Sequence, residues 1–85
     1  MGADLTQIIY RIEDEFEIII PDAEIEKINS PQNVIDFLMK QTEVGENCSE
    51  DYVAITVWRI IEEETGISPR DFDDDARFNE DMGLD

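Results

Sequence analysis

Apolar residues recur along the first third of the chain at helical spacing. Leu5, Ile8, Ile9, Ile12 and Phe16 fall at i, i+3, i+4, i+7 and i+11, which predicts one amphipathic helix with a single buried stripe. Asp4 stands where an N-cap or first-turn acid belongs. Ile18-Ile19-Ile20 has strand propensity but ends after three residues at Pro21-Asp22, so it reads as an extended, partly buried loop. Ala23 to Ile28 reads as a short helical turn with Ile25 and Ile28 facing inward.

Ser30-Pro31 is a helix start, with serine as N-cap and proline at the first helical position. Val34, Ile35, Phe37 and Leu38 supply its apolar face through about Lys40. The next stretch, QTEVGENCS from Gln41 to Ser49, is polar and holds a glycine; it reads as a linker. Ser49 can cap a third long helix, striped by Val53, Val57, Ile60 and Ile61, with Trp58 at its edge. Glu62, Glu63 and Glu64 form its solvent face and Gly66 its stop. Residues 67–84 then read as a long loop anchored by Phe72 and Phe78. The pattern predicts an all-α domain: three main helices, one short helix and one long loop.

Length agrees with this single unit. Eighty-five residues make one domain with a small core. Charge narrows the partners. Against six Lys and Arg stand 23 Asp and Glu, a formal charge of −17. Such a chain repels nucleic acid and anionic membranes, and suits basic protein surfaces or divalent cations. No apolar stretch approaches the roughly 20 residues of a membrane span, and no secretory leader pattern is seen. The lone Cys48 points to a reducing, cytoplasmic setting and to an incidental exposed thiol. With no histidine, neither a Ser-His-Asp site nor a His/Cys zinc site can be assembled. The chain therefore reads as a non-enzyme.

The glutamates at 62–64 read as a solvent face and not as an acid/base pair. Asp71, Asp73 and Asp75 match positions 1, 3 and 5 of a calcium loop. Ala76 and Met82, however, stand where glycine and glutamate are needed. Weak, nonspecific cation binding is the expectation there.

Two segments carry a resemblance to a known family. RFNEDMGLD, at residues 77–85, resembles the part of acyl carrier proteins that leads to their modified serine. IEDEFEIIIPDAEIEKINSPQNVIDFL, at residues 12–38, resembles the part that follows it. The helix near residues 51–64 looks like the family's first helix. The resemblance implies an acyl-carrier-like four-helix bundle, but in exchanged order: residues 50–85 match the family's first half, 4–40 its second half, and 41–49 a linker. A circular permutant and a segment running from the middle of one tandem carrier domain into the next both read this way.

In the family the serine carries 4′-phosphopantetheine. The resemblance sets Gly83, Leu84 and Asp85 before that position and Gly2, Ala3 and Asp4 at and after it. Gly2 takes the serine's place, so no cofactor is expected on this chain. It further implies a docking face of Asp4, Glu13, Asp14 and Asp85 for the basic patches of acyl-transfer, synthase and phosphopantetheinyl transferase enzymes. An acyl shelter would be built from Ile8, Ile12, Ile20, Ile28, Val34, Phe37 and Phe78. Gln7, Arg11 and the bulky Tyr10 depart from the family pattern and imply specialised partners. The resemblance implies a parent that carries acyl thioesters in fatty-acid- or polyketide-type synthesis. The competing expectation is an acidic interaction or cation-binding module without a prosthetic group. A monomer and a domain-exchanged dimer are both compatible with the linker. Residues 1–3 and 83–85 are expected to fray.

Overall fold

The computed structural model describes residues 3–84. Five helices follow one another: α1 (Ala3–Phe16), α2 (Asp22–Ile25), α3 (Pro31–Lys40), α4 (Thr42–Asn47) and α5 (Glu50–Thr65). No strand occurs among the described residues. The fold is all-α, as the periodicity predicts, with α1, α3 and α5 as its three main helices.

Helix α5 is the centre of the bundle, packed against both α1 and α3. Its stripe Val53, Val57, Ile60 and Ile61 is fully buried, with Thr56 and Trp58 beside it. Leu5, Ile8, Ile9 and Ile12 of α1 and Val34, Ile35 and Leu38 of α3 complete the interior. Phe16 and Phe78 pack into this one core, Phe78 fully and Phe16 in part.

The helix ends follow from local chemistry. Ser30 accepts a hydrogen bond from Asn33 N–H at 3.3 Å, and Asn33 Oδ1 accepts from Asn29 N–H at 3.1 Å. The first is the N-cap bond to the third helical residue; the second ties the residue before the cap to the first turn of α3. Ser49 accepts from Tyr52 N–H at 3.1 Å and starts α5. Gly66 ends it at φ 78°, its N–H bonded to Glu62 C=O, because glycine enters the left-handed region without a Cβ penalty. Helix α1 ends the same way at a costlier residue. Glu17 sits at φ 55°, and Ile18 N–H donates to Glu13 C=O at 3.0 Å, the long bond of a Schellman stop.

Four sequence-based expectations are corrected. The supposed linker contains helix α4, whose Val44 is buried and which packs on α3. One apolar residue in a short polar stretch carries no period, so this helix was invisible in the pattern. Cys48 is half-buried against the core and not freely exposed. Phe72 is only partly buried, and Leu84 is the second full anchor of the long segment beside Phe78. Fraying of the ends falls partly on residues 1, 2 and 85, which lie outside the described residues. Inside that limit Ala3 is already helical, while Leu84 is buried and donates its N–H to Phe78 C=O at 2.7 Å.

Candidate functional site

The long segment after α5 is held to the bundle at two points. Trp58 Nε1–H donates to Asp74 Oδ1 at 2.6 Å. The same residue's C=O accepts from Gln32 N–H at 2.7 Å, satisfying a backbone donor of the first turn of α3 that has no partner within the helix. Farther along, Phe78 N–H donates to Asn29 C=O at 2.8 Å. Residues 77–84 then close on themselves. Asp81 accepts from Arg77 N–H at 2.7 Å, Met82 N–H returns to Arg77 C=O, and Gly83 turns at φ 72°. This delivers Leu84 to the interior.

The result is one end of the bundle where three separate stretches meet. A cleft of about 320 Å³ is lined there by Leu5 of α1, by Ile25, Glu26, Ile28 and Asn29, and by Phe78 and Asn79. Of the seven residues proposed as an acyl shelter, Ile28 and Phe78 line this cleft. Ile8, Ile12, Ile20 and Val34 are packed into the core, and Phe37 is half-buried. Phe37 instead borders a shallow depression with Ile28 and Lys40.

The acidic face is assembled unevenly. Asp4 and Asp14 are exposed on α1. Glu13 is half-buried, and its Oε2 accepts from Ile20 N–H at 2.8 Å. That bond fixes the isoleucine loop against α1, so one Glu13 oxygen is committed within the fold. Asp85 and Gly2 lie outside the described residues. Gly83 and Leu84 sit on the loop against Phe78, and the backbone of Ala3 begins α1.

Two arginine clasps tie α1 to α5. Arg11 meets Glu63 at 2.8 Å and Glu64 at 3.3 Å; Arg59 meets Glu15 at 3.0 Å. The hydrogen bond that Arg11 donates to Glu63, reinforced by the one to Glu64, holds its guanidinium above the ordinary pKa against a smaller opposing effect of desolvation. Periodicity places Arg11 on α1 but does not reveal that it points across to α5.

Among the described residues no group of three or more Cys, Asp or Glu side chains is arranged to hold a metal ion. Asp71, Asp73 and Asp75 are all exposed, and Asp74 between them faces Trp58. Sequence reasoning missed Asp74 because nothing distinguishes it from its neighbours in an acidic run. No described helix is long and apolar enough to cross a membrane.

The sequence holds three serines. Ser30 and Ser49 are helix caps, and Ser68 Oγ accepts from Arg70 N–H at 3.2 Å in a turn. None stands beside the 77–84 loop in sequence. All three serines lie outside α1 and outside residues 77–84.

Part of the chain is similar to acyl carrier proteins. Over 38 residues it is 47% identical to the acyl carrier protein of Buchnera aphidicola subsp. Acyrthosiphon pisum, covering 45% of this chain and 48% of that protein. Over 38 residues it is 40% identical to the acyl carrier protein of Chlorobium phaeobacteroides, covering 45% of this chain and 49% of that protein. The chain spans about half the length of the curated relatives it matches. No protein-family model and no solved structure matches it.

Proposed function

We propose that this chain is an acyl-carrier-like scaffold in exchanged order, residues 50–85 acting as the family's first half and 4–40 as its second, with 41–49 as the connection. It performs no bond chemistry of its own. Its acidic α1 face engages the basic patches of acyl-transfer, synthase and phosphopantetheinyl transferase enzymes. Its parent carries acyl thioesters in fatty-acid- or polyketide-type synthesis. The chain itself, with Gly2 at the serine's position, is not loaded.

The observation that carries this reading is the meeting of Leu5 with Phe78 at one cleft, together with the partial likeness to acyl carrier proteins. In a carrier of ordinary order the segment corresponding to 77–85 runs directly into the helix corresponding to α1. A permuted carrier must bring these distant stretches together without a covalent link. Burial of Leu84 beside the same core supports it further.

Intact mass after incubation with coenzyme A and a broad-specificity phosphopantetheinyl transferase tests the proposal. The wild-type chain is expected to stay at its own mass, and Gly2→Ser to gain one phosphopantetheine. Addition at Ser49 or Ser68 overturns the alignment. So does failure of Gly2→Ser under conditions that load an ordinary acyl carrier protein.

A further inference from the structure

Tyr10 is 59% exposed on α1, in the middle of a helix whose apolar residues are otherwise turned inward. Gln7 precedes it by three positions and Asp14 follows it by four; both are exposed. On a helix these three residues share one face. An aromatic ring one turn from a free carboxylate is a surface with two complementary features. The ring face attracts a cation by its quadrupole, and the carboxylate pairs with the same cation.

The neighbouring residue would spoil that surface if it lay free. Arg11 is adjacent to Tyr10 and three positions before Asp14, within reach of neutralising it. It is instead drawn across to α5, with Nη2 at 2.8 Å from Glu63 and Nη1 at 3.3 Å from Glu64. The face is thereby cleared of its own cation.

We propose that the Gln7–Tyr10–Asp14 face of α1 docks a basic protein surface through an arginine in preference to a lysine, with Tyr10 setting the preference and Glu63 and Glu64 holding Arg11 out of the way. The partner class rests on the carrier reading above and on the charge of −17, which steers cationic partners toward the chain. The choice of arginine rests on shape. A planar guanidinium can stack on the phenol ring while its N–H edge reaches the Asp14 carboxylate; an ammonium is a compact, strongly hydrated point charge and cannot do both as well. Glu63 and Glu64 are positioning residues here, touching Arg11 and not the partner.

The test uses the full chain, isotope-labelled for NMR, and two basic helical peptides identical except for arginine or lysine at every cationic position. Resonance shifts are expected to centre on residues 7–14, with the arginine peptide bound about threefold more tightly, in the range of an exposed cation–aromatic contact. Tyr10→Ala is expected to bring the two peptides to equal affinity, and Tyr10→Phe to keep them apart. The double variant Glu63→Gln/Glu64→Gln is expected to weaken both peptides more than Glu43→Gln/Glu46→Gln, which removes the same charge from α4. Three results overturn the proposal: an unchanged arginine preference in Tyr10→Ala, shifts centred on residues 71–75, or equal weakening by the two double variants. Loading of Gly2→Ser reports only on the carrier reading, so either idea can fail without the other.

Discussion

Phe78 is the residue on which the long segment turns. Its side chain is 1% exposed, its N–H is bonded to Asn29 and its C=O to Leu84. Truncating a buried phenylalanine typically costs about 3–5 kcal/mol, and a small domain has roughly 5–15 kcal/mol in all. Phe78→Ala is therefore expected to lower the urea midpoint severely, with loss of order spreading through residues 77–84. Phe72→Ala, at a half-buried site, is expected to shift the midpoint less. A larger effect from Phe72 would contradict this ranking. Much at this scale was legible in the sequence. Ser30, Ser49 and Gly66 were readable as caps because capping depends on residues three or four positions away. The partners of Arg11, Trp58 and Asp74 were not, because each lies on another element, up to 53 positions distant.

At the scale of elements, α4 is the instructive case. Gly45 lies within it, and a Cβ built there would stand 2.7 Å from Met39 C=O on α3. Alanine normally favours a helix over glycine by about 0.5–1 kcal/mol, whereas overpacking against a fixed backbone costs roughly 1–3 kcal/mol. The clash wins. Gly45→Ala is expected to destabilise the chain by about 1–2 kcal/mol, measured by chemical unfolding, while Glu46→Ala on the exposed side of the same helix leaves it nearly unchanged. A stabilised Gly45→Ala would show that α4 can draw away from α3 at no cost. In the sequence this glycine looked like linker composition. Its role is set by the close approach of two backbones, to which hydropathy patterning is blind. The long helices were legible for the opposite reason: each carries three or more apolar residues in phase with the helical period.

For the whole molecule, charge sets the response to solvent. Five solvent-accessible ion pairs are present among the described residues, each individually weak and weakened further by salt. Against them stands the mutual repulsion of a net −17, which salt also screens. The repulsion involves many more charges, so moderate salt is expected to raise the melting temperature. A fall between low and physiological ionic strength would mean that the two clasps between α1 and α5 outweigh it. Arg11 does not limit this on the alkaline side. Its raised pKa keeps its contribution intact until pH climbs through the folded value, well above neutrality.

The sequence by itself determined the helical class, the three long helices with their caps, the buried stripes and the acidic character, since all of these follow from local spacing and composition. Only the tertiary structure decided that α5 sits between α1 and α3, that α4 exists, that Asp74 anchors the loop, and that Leu5 and Phe78 share a cleft. Those outcomes depend on which faces meet across the chain, and burying the apolar stripes together fixes that meeting only once every element is in place.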